Sequence, residues 1–428
     1  MASALTLPCA RAEEPQLGAP VKSTSGDGRR EPQWEERVTV TVGKGGDFEG
    51  TTERAIQAAA DYCTRLGGGT VKILPGTYTC RNSIFVKSGL RIVGSGAETV
   101  LFKAPSFSTT LAADTDWFDQ EITLADARGF NVGDGVCLRT KNPHTGGMDV
   151  LRRTLIARSG NRFKLDQAPR VNFWMDQTPE VAALFPVITA EFQSDIAIEN
   201  LAIDGNRENN ANLNGNYGGG MWFQDCSDLS FRRVEARNYN GDGISWQICH
   251  DVLVEHCHSH GNADLGLHPG SGSQRPVMRN NRIENNTIGI FFCWGVREGM
   301  AEDNMIVGNS GEGVSIGHRD HYNIVRNNTI EGSGKVGVLF RPERGEGFTA
   351  TGNVIEGNRI LDSGGDDGIA IDLQGVTEGN TIRQNTIEER RGPAQRIGIR
   401  IGAEAGENVL EANMIAGVAT AMVDLRKG

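Results

Sequence analysis

Glycine followed by alternating apolar residues is the dominant pattern of this chain, and it recurs at near-constant spacing beyond residue 219. The eight phrases are GMWFQ, GISWQ, GLHPG, GIFFC, GVSIG, GVLFR, GIAID and GIRIG, beginning at Gly220, Gly243, Gly266, Gly289, Gly313, Gly337, Gly368 and Gly398. Successive starts are 23 or 24 residues apart, except for the last two steps of 31 and 30 residues. Alternation with period two predicts a β-strand whose first residue after the glycine faces inward. A repeat of this length, which cannot bury its apolar face alone, predicts a solenoid.

Each repeat also contains a second predicted strand, bounded by asparagine and glycine. Examples are "NNRIENN" (280–286), "RNNTIEGS" (326–333) and "GNRILDS" (357–363). Asparagine and glycine are the residues that tight corners between strands require. The chain is therefore predicted to be all-β, folded as a single-stranded, right-handed parallel β-helix.

The rest of the chain is organised around this solenoid. Residues 1–36 are polar and rich in proline and glycine, and we expect a disordered leader or signal remnant there. Residues 37–428 form the β-helix, with a capping helix over 52–66 that covers its open end. A small β insertion is predicted at about 106–190, and regular coils at about 191–420. The Ala-Arg-Ala before Glu13 is typical of an export signal, which predicts a secreted or periplasmic protein.

Composition narrows the functional classes. The net charge of −11 argues against nucleic acid as a partner, and no apolar run approaches the ~18–20 residues that span a bilayer. The eight cysteines form no CxxC pair, which argues against a zinc ribbon or a redox motif. His268, His318 and Asp320 lack the spacing of a known metal site, so no metal and no cofactor is predicted. Cys226 and Cys249 should stack as buried residues on adjacent coils. Cys63 and Cys80 are candidates for a disulfide, and their redox state stays open.

Outward positions of the glycine strands should stack about 4.8 Å apart in one strip. That strip carries aromatic, amide, imidazole and guanidinium groups, namely Trp222, Gln224, Gln247, His268 and Arg341. Aromatic surfaces among polar groups suit a sugar, whose ring faces are apolar and whose edges carry hydroxyls. We therefore expect a poly- or oligosaccharide to bind across the strip.

Residues at the ends of the strands extend this predicted binding surface. Trp294 should stack on sugar together with Trp222, and Arg297 should hold a substrate carboxylate together with Arg341. The asparagine-rich loop over 204–217 supplies Asp204 and Arg207 as predicted rim groups.

Three acidic residues precede the glycines and are candidate catalytic groups: Asp242, Asp264 and Glu312. Asp242 and Asp264 lie one coil apart, so their carboxyls should be separated by about 5–8 Å, within the range that glycosidases use. Like charges this close raise one pKa, which separates an acid from a base. Glu312 lies three coils from Asp242, roughly 14 Å away. The alternative is that all three are turn formers that bond to their own backbone.

Two histidines are further catalytic or sugar-contacting candidates. In "GLHPGSGSQR" (266–275) a proline at the inward position predicts a broken ladder, with the chain swinging outward and carrying His268. In "GVSIGHRDHYN" (313–323) His318 stands at the following corner. The rest of that cluster, Arg319, Asp320 and His321, is predicted to be a solvated turn.

From "GGGTVKILPGTY" onward the chain resembles the pectate-lyase-like β-helix superfamily over about residues 38–420, which implies the fold but not the reaction. The coil phases also resemble the polygalacturonase family of inverting glycoside hydrolases. "NGDGIS" is similar to that family's "NTDGI", which carries over Asp242. "GEGVSIG" places Glu312 where the family has histidine, and "GVLFR" places Arg341 where the family has "GIRIK". The resemblance implies a glycoside hydrolase.

The leading hypothesis is a secreted carbohydrate-active enzyme, most favourably a glycoside hydrolase in which Asp242 and Asp264 divide the acid and base roles. The alternative is a lyase or C5-epimerase of uronates, in which His268 or His318 acts as the base and Arg341 neutralises the carboxylate. A third possibility, from another class, is a non-catalytic glycan-binding adhesin or tailspike-like fibre. An oligomer, possibly a trimer, is expected for that class.

Overall fold

The chain is a right-handed parallel β-helix, as the sequence predicts. The computed structural model describes residues 36–343, 345 and 347–426. The leader expected over residues 1–36 lies outside the described residues, except for Glu36. Each regular coil contributes three short strands, and like strands of successive coils pair in parallel.

The glycine phrases form one side of the solenoid, which we call the glycine sheet. In the described part of the chain it has eleven parallel strands in sequence order: Ile84–Phe85, Ile188–Glu191, Met221–Gln224, Ile244–Gln247, Leu265–Pro269, Ile288–Phe291, Glu312–Ile316, Val336–Phe340, Ile369–Leu373, Ile397–Ile401 and Thr420–Asp424.

The other two sides we call ladder A and ladder B, in the order in which the chain meets them after a glycine strand. Three long strands bend at the corner and serve both ladders: Leu90–Lys103, Ser194–Asp204 and Ser227–Arg237. The other strands of ladder A are Thr39–Val42, Gly69–Ile73, His250–Glu255, Val277–Arg279, Met300–Glu302, Ile324–Arg326, Val354–Glu356, Thr381–Arg383 and Val409–Glu411. Those of ladder B are Gly76–Cys80, His258–His260, Arg282–Glu284, Met305–Val307, Thr329–Glu331, Arg359–Leu361, Thr386–Glu388 and Met414–Ala416.

The glycine at the start of each glycine strand is required by close packing inside the coil. A Cβ on Gly266 would lie 2.5 Å from Cγ2 of Ile283 in ladder B and 2.7 Å from the carbonyl oxygen of Gly289. The residue after the glycine points into the core, and Leu267 and Ile290, for example, are fully buried. Both features agree with the period-two interpretation of the sequence.

The seventh phrase is the exception. Val338 pairs with Ile371, not with Ile369, so Ala370 and not Gly368 occupies the glycine position of that coil. The sequence interpretation was therefore shifted by two residues here. The shift is not visible in the sequence, because Gly368 also precedes an alternating apolar segment and the loop before this strand is longer than in the earlier coils.

Buried asparagines line the corners and connect each coil to the next. At the corner between ladders A and B, the amide of Asn281 donates to Oδ1 of Asn304 (2.9 Å) and to the carbonyl of Val254 (2.9 Å). The same position continues through Asn304, Asn328, Asn358, Asn385 and Asn413. Shorter ladders of the same kind run at the other two corners, through Asn323, Asn353, Asn380 and Asn408 and through Asn262, Asn286 and Asn309.

The capping helix and the β insertion are present as predicted. The helix Glu53–Arg65 packs Ile56, Ala59, Ala60 and Cys63 against the first coil. The insertion is a six-stranded antiparallel sheet with its own core: Ser108–Thr110, Glu121–Thr123, Gly135–Lys141, Met148–Ser159, Arg162–Leu165 and Glu180–Ala182. Two short 3₁₀ turns, Met175–Gln177 and Arg207–Asn209, complete the regular structure of the described residues.

The cysteines of the described residues are all reduced and buried. Cys63 and Cys80 do not form the candidate disulfide, and the sulfur of Cys63 instead lies 3.9 Å from the carbonyl of Thr70. Cys226 and Cys249 stack on adjacent coils as expected. Hydrophobic burial and the corner asparagines, and not covalent links, therefore hold the described coils together.

Replacement of a corner asparagine tests this account. In Asn328→Ala the main-chain and side-chain N–H groups of Asn304 lose their shared acceptor, and the carbonyl of Ala301 loses its donor. Since an unsatisfied buried polar group costs about 1–3 kcal/mol, the variant should lose at least about 2 kcal/mol of unfolding free energy in urea titrations. Asn327→Gly is the matched control, because Asn327 is exposed and has φ of 55°, which glycine adopts readily. Equal stability of the two variants would contradict the account.

Candidate functional site

The outward side chains of the glycine sheet stack in one column, as predicted. Strand register aligns Trp222, Ser245, His268, Phe291 and Ser315 on successive coils. Most of the column is buried, however. The insertion and the loop over 205–219 pack onto Trp222 and Ser245, and Arg341 lies on Phe291 and Ser315. This covering decides which of the predicted site residues can meet a ligand.

Trp222 illustrates the covering. Its side chain is 1% exposed, and the guanidinium of Arg152 from the insertion lies 3.7 Å from its ring centroid. The expectation that Trp222 offers an open surface to a sugar is therefore wrong. Sequence periodicity identified its outward direction but contained no information on what the insertion would cover.

Asp242 and His268 form a buried pair beneath the same covering. Oδ2 of Asp242 lies 2.6 Å from Nδ1 of His268, and Oδ1 accepts a hydrogen bond from the main-chain N–H of Leu265. Gly215 of the covering loop packs directly on the carboxylate, leaving no room there for a side chain. Asp242 is fully buried and His268 is 3% exposed.

Burial and pairing set the protonation of these two groups. Burial lowers the pKa of His268, but the Asp242 carboxylate and the neighbouring Cys293 thiol outweigh it and raise that pKa to about 9. Burial raises the pKa of Asp242, and the imidazole opposes the rise. Nε2 of His268 is buried and has no hydrogen-bond partner. The arrangement is that of a carboxylate that orients and charges an imidazole.

His268 does not reach this position by the route predicted. Pro269 remains inside its strand, in register with Trp246, and its carbonyl accepts a hydrogen bond from the N–H of Cys293. The chain does not swing outward, because a proline lacks only its own N–H and still accepts from the next coil. The predicted break of the ladder is therefore wrong.

Asp264 has a different environment from Asp242. It is partly exposed, and its Oδ2 accepts a hydrogen bond from the amide of Asn212 at 3.0 Å. Its charge raises the pKa of Asp242, so the two carboxyls interact. They do not face a common opening, because Asp242 is bonded to His268 and covered by Gly215.

A second histidine–carboxylate pair lies two coils further along. Nδ1 of His318 lies 3.2 Å from Oε2 of Glu343, and the main-chain N–H of His318 donates to Oε1 of Glu343 at 2.8 Å. With Nδ1 held by Glu343, Nε2 is the nitrogen left to exchange a proton with a ligand. Sequence reasoning found His318 and missed Glu343, which stands only two residues after the Arg341 that it singled out.

Arg341 connects the two pairs and is occupied within the protein. Its guanidinium lies 4.3 Å from the ring centroid of Phe291, and Phe291 makes a T-shaped contact with His268. The guanidinium also donates hydrogen bonds to Ser315, to the carbonyl of Phe292 and to Asp320. The predicted role in holding a substrate carboxylate is not supported, since Asp320 already takes that place. Asp320 is buried, not part of a solvated turn as expected, and burial raises its pKa to about 6 against the opposing charge of Arg341.

An open groove of about 410 Å³ lies beside His318, where the glycine strands turn toward ladder A. We call it the corner groove. Trp294 is 49% exposed there and stacks on the His318 ring with centroids 4.6 Å apart. Arg297 and Arg319 are exposed on the same groove, whose remaining lining is Ser271, Gly272, Gln274 and Gly295. Of the predicted site residues, His318, Trp294 and Arg297 therefore come together.

The other predicted residues lie elsewhere or are used in packing. Gln247 accepts from the N–H of Ser271, and Gln224 donates to Asp225. Asp204 pairs with Arg237 and Arg207 donates to the carbonyl of Gly261, which places both beside ladder B and away from the corner groove. Glu312 begins its strand in the same column as Asp242, three coils away, and has no close contact with either histidine pair.

A further cavity of about 440 Å³ opens between the insertion and the first coils. It is lined by Lys87, Arg152, Arg153, Asp166 and Glu191, among others. Glu191 and the corner groove follow the same edge of the glycine sheet, about three coils apart or roughly 14 Å. Sequence reasoning missed this cavity, because it exists only where the insertion folds back on the solenoid.

The family and the fold are now established by comparison. The chain belongs to the family described as the right handed beta helix region, whose model matches residues 188–330 and 301–423. Its fold is similar to ORF18 of Geobacillus virus E2, at 14% identity and a TM-score of 0.56, with 88% of this chain and 61% of that chain covered. It is also similar to PfbA, a surface adhesin of Streptococcus pneumoniae, at 12% identity and a TM-score of 0.53, with 86% and 89% covered.

A third structural neighbour is the Dettilon tailspike protein, at 13% identity and a TM-score of 0.50, with 86% of this chain and 66% of that chain covered. Identities this low establish the shared fold alone. No curated protein matches the sequence. In the described residues, no helix has the length and apolarity needed to cross a membrane.

The His268–Asp242 pair makes stability depend on pH. Because folding raises the pKa of His268 from 6.5 to about 9, its stabilisation is full below pH 6.5 and is lost as the pH rises through 9. A shift of this size corresponds to about 3 kcal/mol. The difference in unfolding free energy between wild type and His268→Gln should therefore narrow between pH 6.5 and 9.5.

Urea titrations at each pH measure this difference. His256→Asn is the control, because His256 is exposed at a φ of 53° that asparagine tolerates, and its profile should follow the wild type. A constant difference between wild type and His268→Gln over this range would contradict the assignment of the raised pKa.

Proposed function

We propose that this protein is a carbohydrate-active enzyme that binds an acidic poly- or oligosaccharide along the edge of the glycine sheet and acts on it at the corner groove. The observation that carries the proposal is the exposed Trp294 ring next to His318, whose Nδ1 is held by the partly buried carboxylate of Glu343. An aromatic surface, a base with an orienting carboxylate and a charged rim are thus combined in one open depression.

Binding follows from the lining of the groove. A pyranose ring places its apolar face on Trp294, and its hydroxyls reach the polar groups of Ser271 and Gln274. Arg297 and Arg319 lie on the same groove and suit a carboxylate, which guanidinium groups bind through two parallel hydrogen bonds. This charge pattern favours a uronate over a neutral sugar.

The chemistry favoured by this arrangement is removal of a proton from carbon. In a uronate the C5 hydrogen is adjacent to the carboxyl group, and an arginine that neutralises the carboxylate stabilises the carbanion. Nε2 of His318 takes the proton while Glu343 holds the ring and stabilises the imidazolium. The C4–O bond then breaks, and the departing oxygen takes a proton from the His318 imidazolium, which completes a β-elimination. If solvent water instead protonates C5 from the opposite face, the product is the C5 epimer, and the imidazolium returns its proton to the hydroxide that forms.

Glycoside hydrolysis by Asp242 and Asp264 is the second candidate. The two carboxyls interact electrostatically, and Asp264 is partly exposed. Hydrolysis would require the loop over 205–219 to move away from Asp242. Proton abstraction by His318 requires no such movement, and is therefore favoured.

His318→Ala should lower turnover of an acidic polysaccharide by about 10²–10⁴-fold, because a positioned base contributes that much to proton transfer.

Trp294→Ala should raise the Kd for the same polysaccharide while the fold is retained, since the ring is half exposed. Turnover is measured on a panel of acidic and neutral polysaccharides, following reducing ends and the ultraviolet absorbance of unsaturated uronate together. Epimerisation is followed by NMR.

His256→Asn is the matched control and should retain wild-type turnover. Hydrolysis would replace this proposal if the wild type released reducing ends without unsaturated product, and if that activity were lost in Asp242→Asn but kept in His318→Ala. Polysaccharide binding that depends on Trp294, without any turnover, would instead indicate a non-catalytic glycan-binding protein. Secretion of the protein and its assembly as a trimer would then be the next properties to measure.

A further inference from the structure

The outer face of ladder B carries a cluster that no part of the proposed function uses. Glu235, His258 and His260 each place one ligand atom within 4.8 Å of the other two. The cluster lies on a different side of the solenoid from the corner groove. A ligand bound by this cluster would not touch the corner groove.

Strand register explains why these side chains converge. His258 and His260 are two residues apart on one strand, so both face outward, and their rings stack with centroids 4.0 Å apart and planes 24° apart. Glu235 pairs with His258 from the preceding coil, and Glu284 pairs with His260 from the following coil. The contacts are diagonal: Nε2 of His260 lies 2.9 Å from Oε1 of Glu235, and Nε2 of His258 lies 2.9 Å from Oε1 of Glu284.

We propose that Glu235, His258 and His260 form a zinc site that joins two successive coils, with Glu284 of the next coil beside His258. Two imidazoles with carboxylates are a ligand set that zinc takes, at about 2.0–2.2 Å from nitrogen or oxygen. Ligand atoms around such a tetrahedral ion lie about 3.3 Å apart. The present separations, from 2.9 Å to at most 4.8 Å within the triad, need only small side-chain movements to reach this value.

The surroundings prepare these side chains for an ion. Arg237 holds Oε2 of Glu235 at 2.8 Å and Arg282 holds Oε2 of Glu284 at 2.6 Å, so that Oε1 of each carboxylate points to the imidazoles. Such outer partners orient metal ligands in known sites. The side chains of His258 and His260 are 34% and 25% exposed, so an ion can enter from solvent.

Zinc titration of the chelator-treated, untagged full chain tests the site. Calorimetry should show one zinc per chain for the wild type, and zinc should raise its Tm, because an ion bound only by the folded coils stabilises them. The His258→Ala, His260→Ala double variant should bind at least about 10-fold more weakly and lose the rise in Tm. Glu235→Gln should show a smaller loss of affinity.

His256→Asn is the matched control, two residues from His258, and should bind zinc as the wild type does. Circular dichroism without metal checks that the double variant folds. Zinc binding of equal affinity in the double variant, or no stoichiometric binding to the wild type, would overturn the proposal.

Discussion

The buried asparagine ladders are the interaction on which the rest of the structure depends. A primary amide inside a protein must satisfy two N–H donors and one oxygen, or the coil loses stability. Asn304 and its neighbours meet this requirement only when the next coil places its own asparagine at the same corner. A slip of one residue between coils would break the chain of amides, so the ladders determine register as well as stability.

Two local features make such a corner possible. The residue before the asparagine adopts the left-handed conformation, as Asn280, Asp303 and Asn327 do, which turns the chain sharply between ladders A and B. The asparagine that follows then points inward and fills the bend with hydrogen bonds. Sequence reasoning recognised these positions as turn formers but treated the asparagines as local. Their partners are coils away, and a single repeat does not reveal that.

Exact register converts a linear repeat into columns of side chains, and the two histidine pairs are consequences of it. His268 meets Asp242 from the preceding coil, and His318 meets Glu343 from the following one. The pairs differ in their access to solvent. The 205–219 loop seals the first, so its charge serves stability, whereas the second borders an open groove. Two similar histidine–carboxylate pairs, two coils apart, therefore differ in role: the covered pair is structural and the pair beside the groove is the catalytic candidate.

The periodic glycines and the apolar residues after them were enough to determine the solenoid, its parallel strands and the outward column, because these depend on spacing that is visible in the chain. The capping helix and the insertion were also predictable, from an apolar stripe and from a break in the rhythm. Sequence did not determine that Trp222 is covered, that Arg341 is occupied by Asp320, or that Glu343 supports His318. Those outcomes depend on loops and on an insertion whose docking has no periodic signal, and only the tertiary structure brings their side chains onto the column.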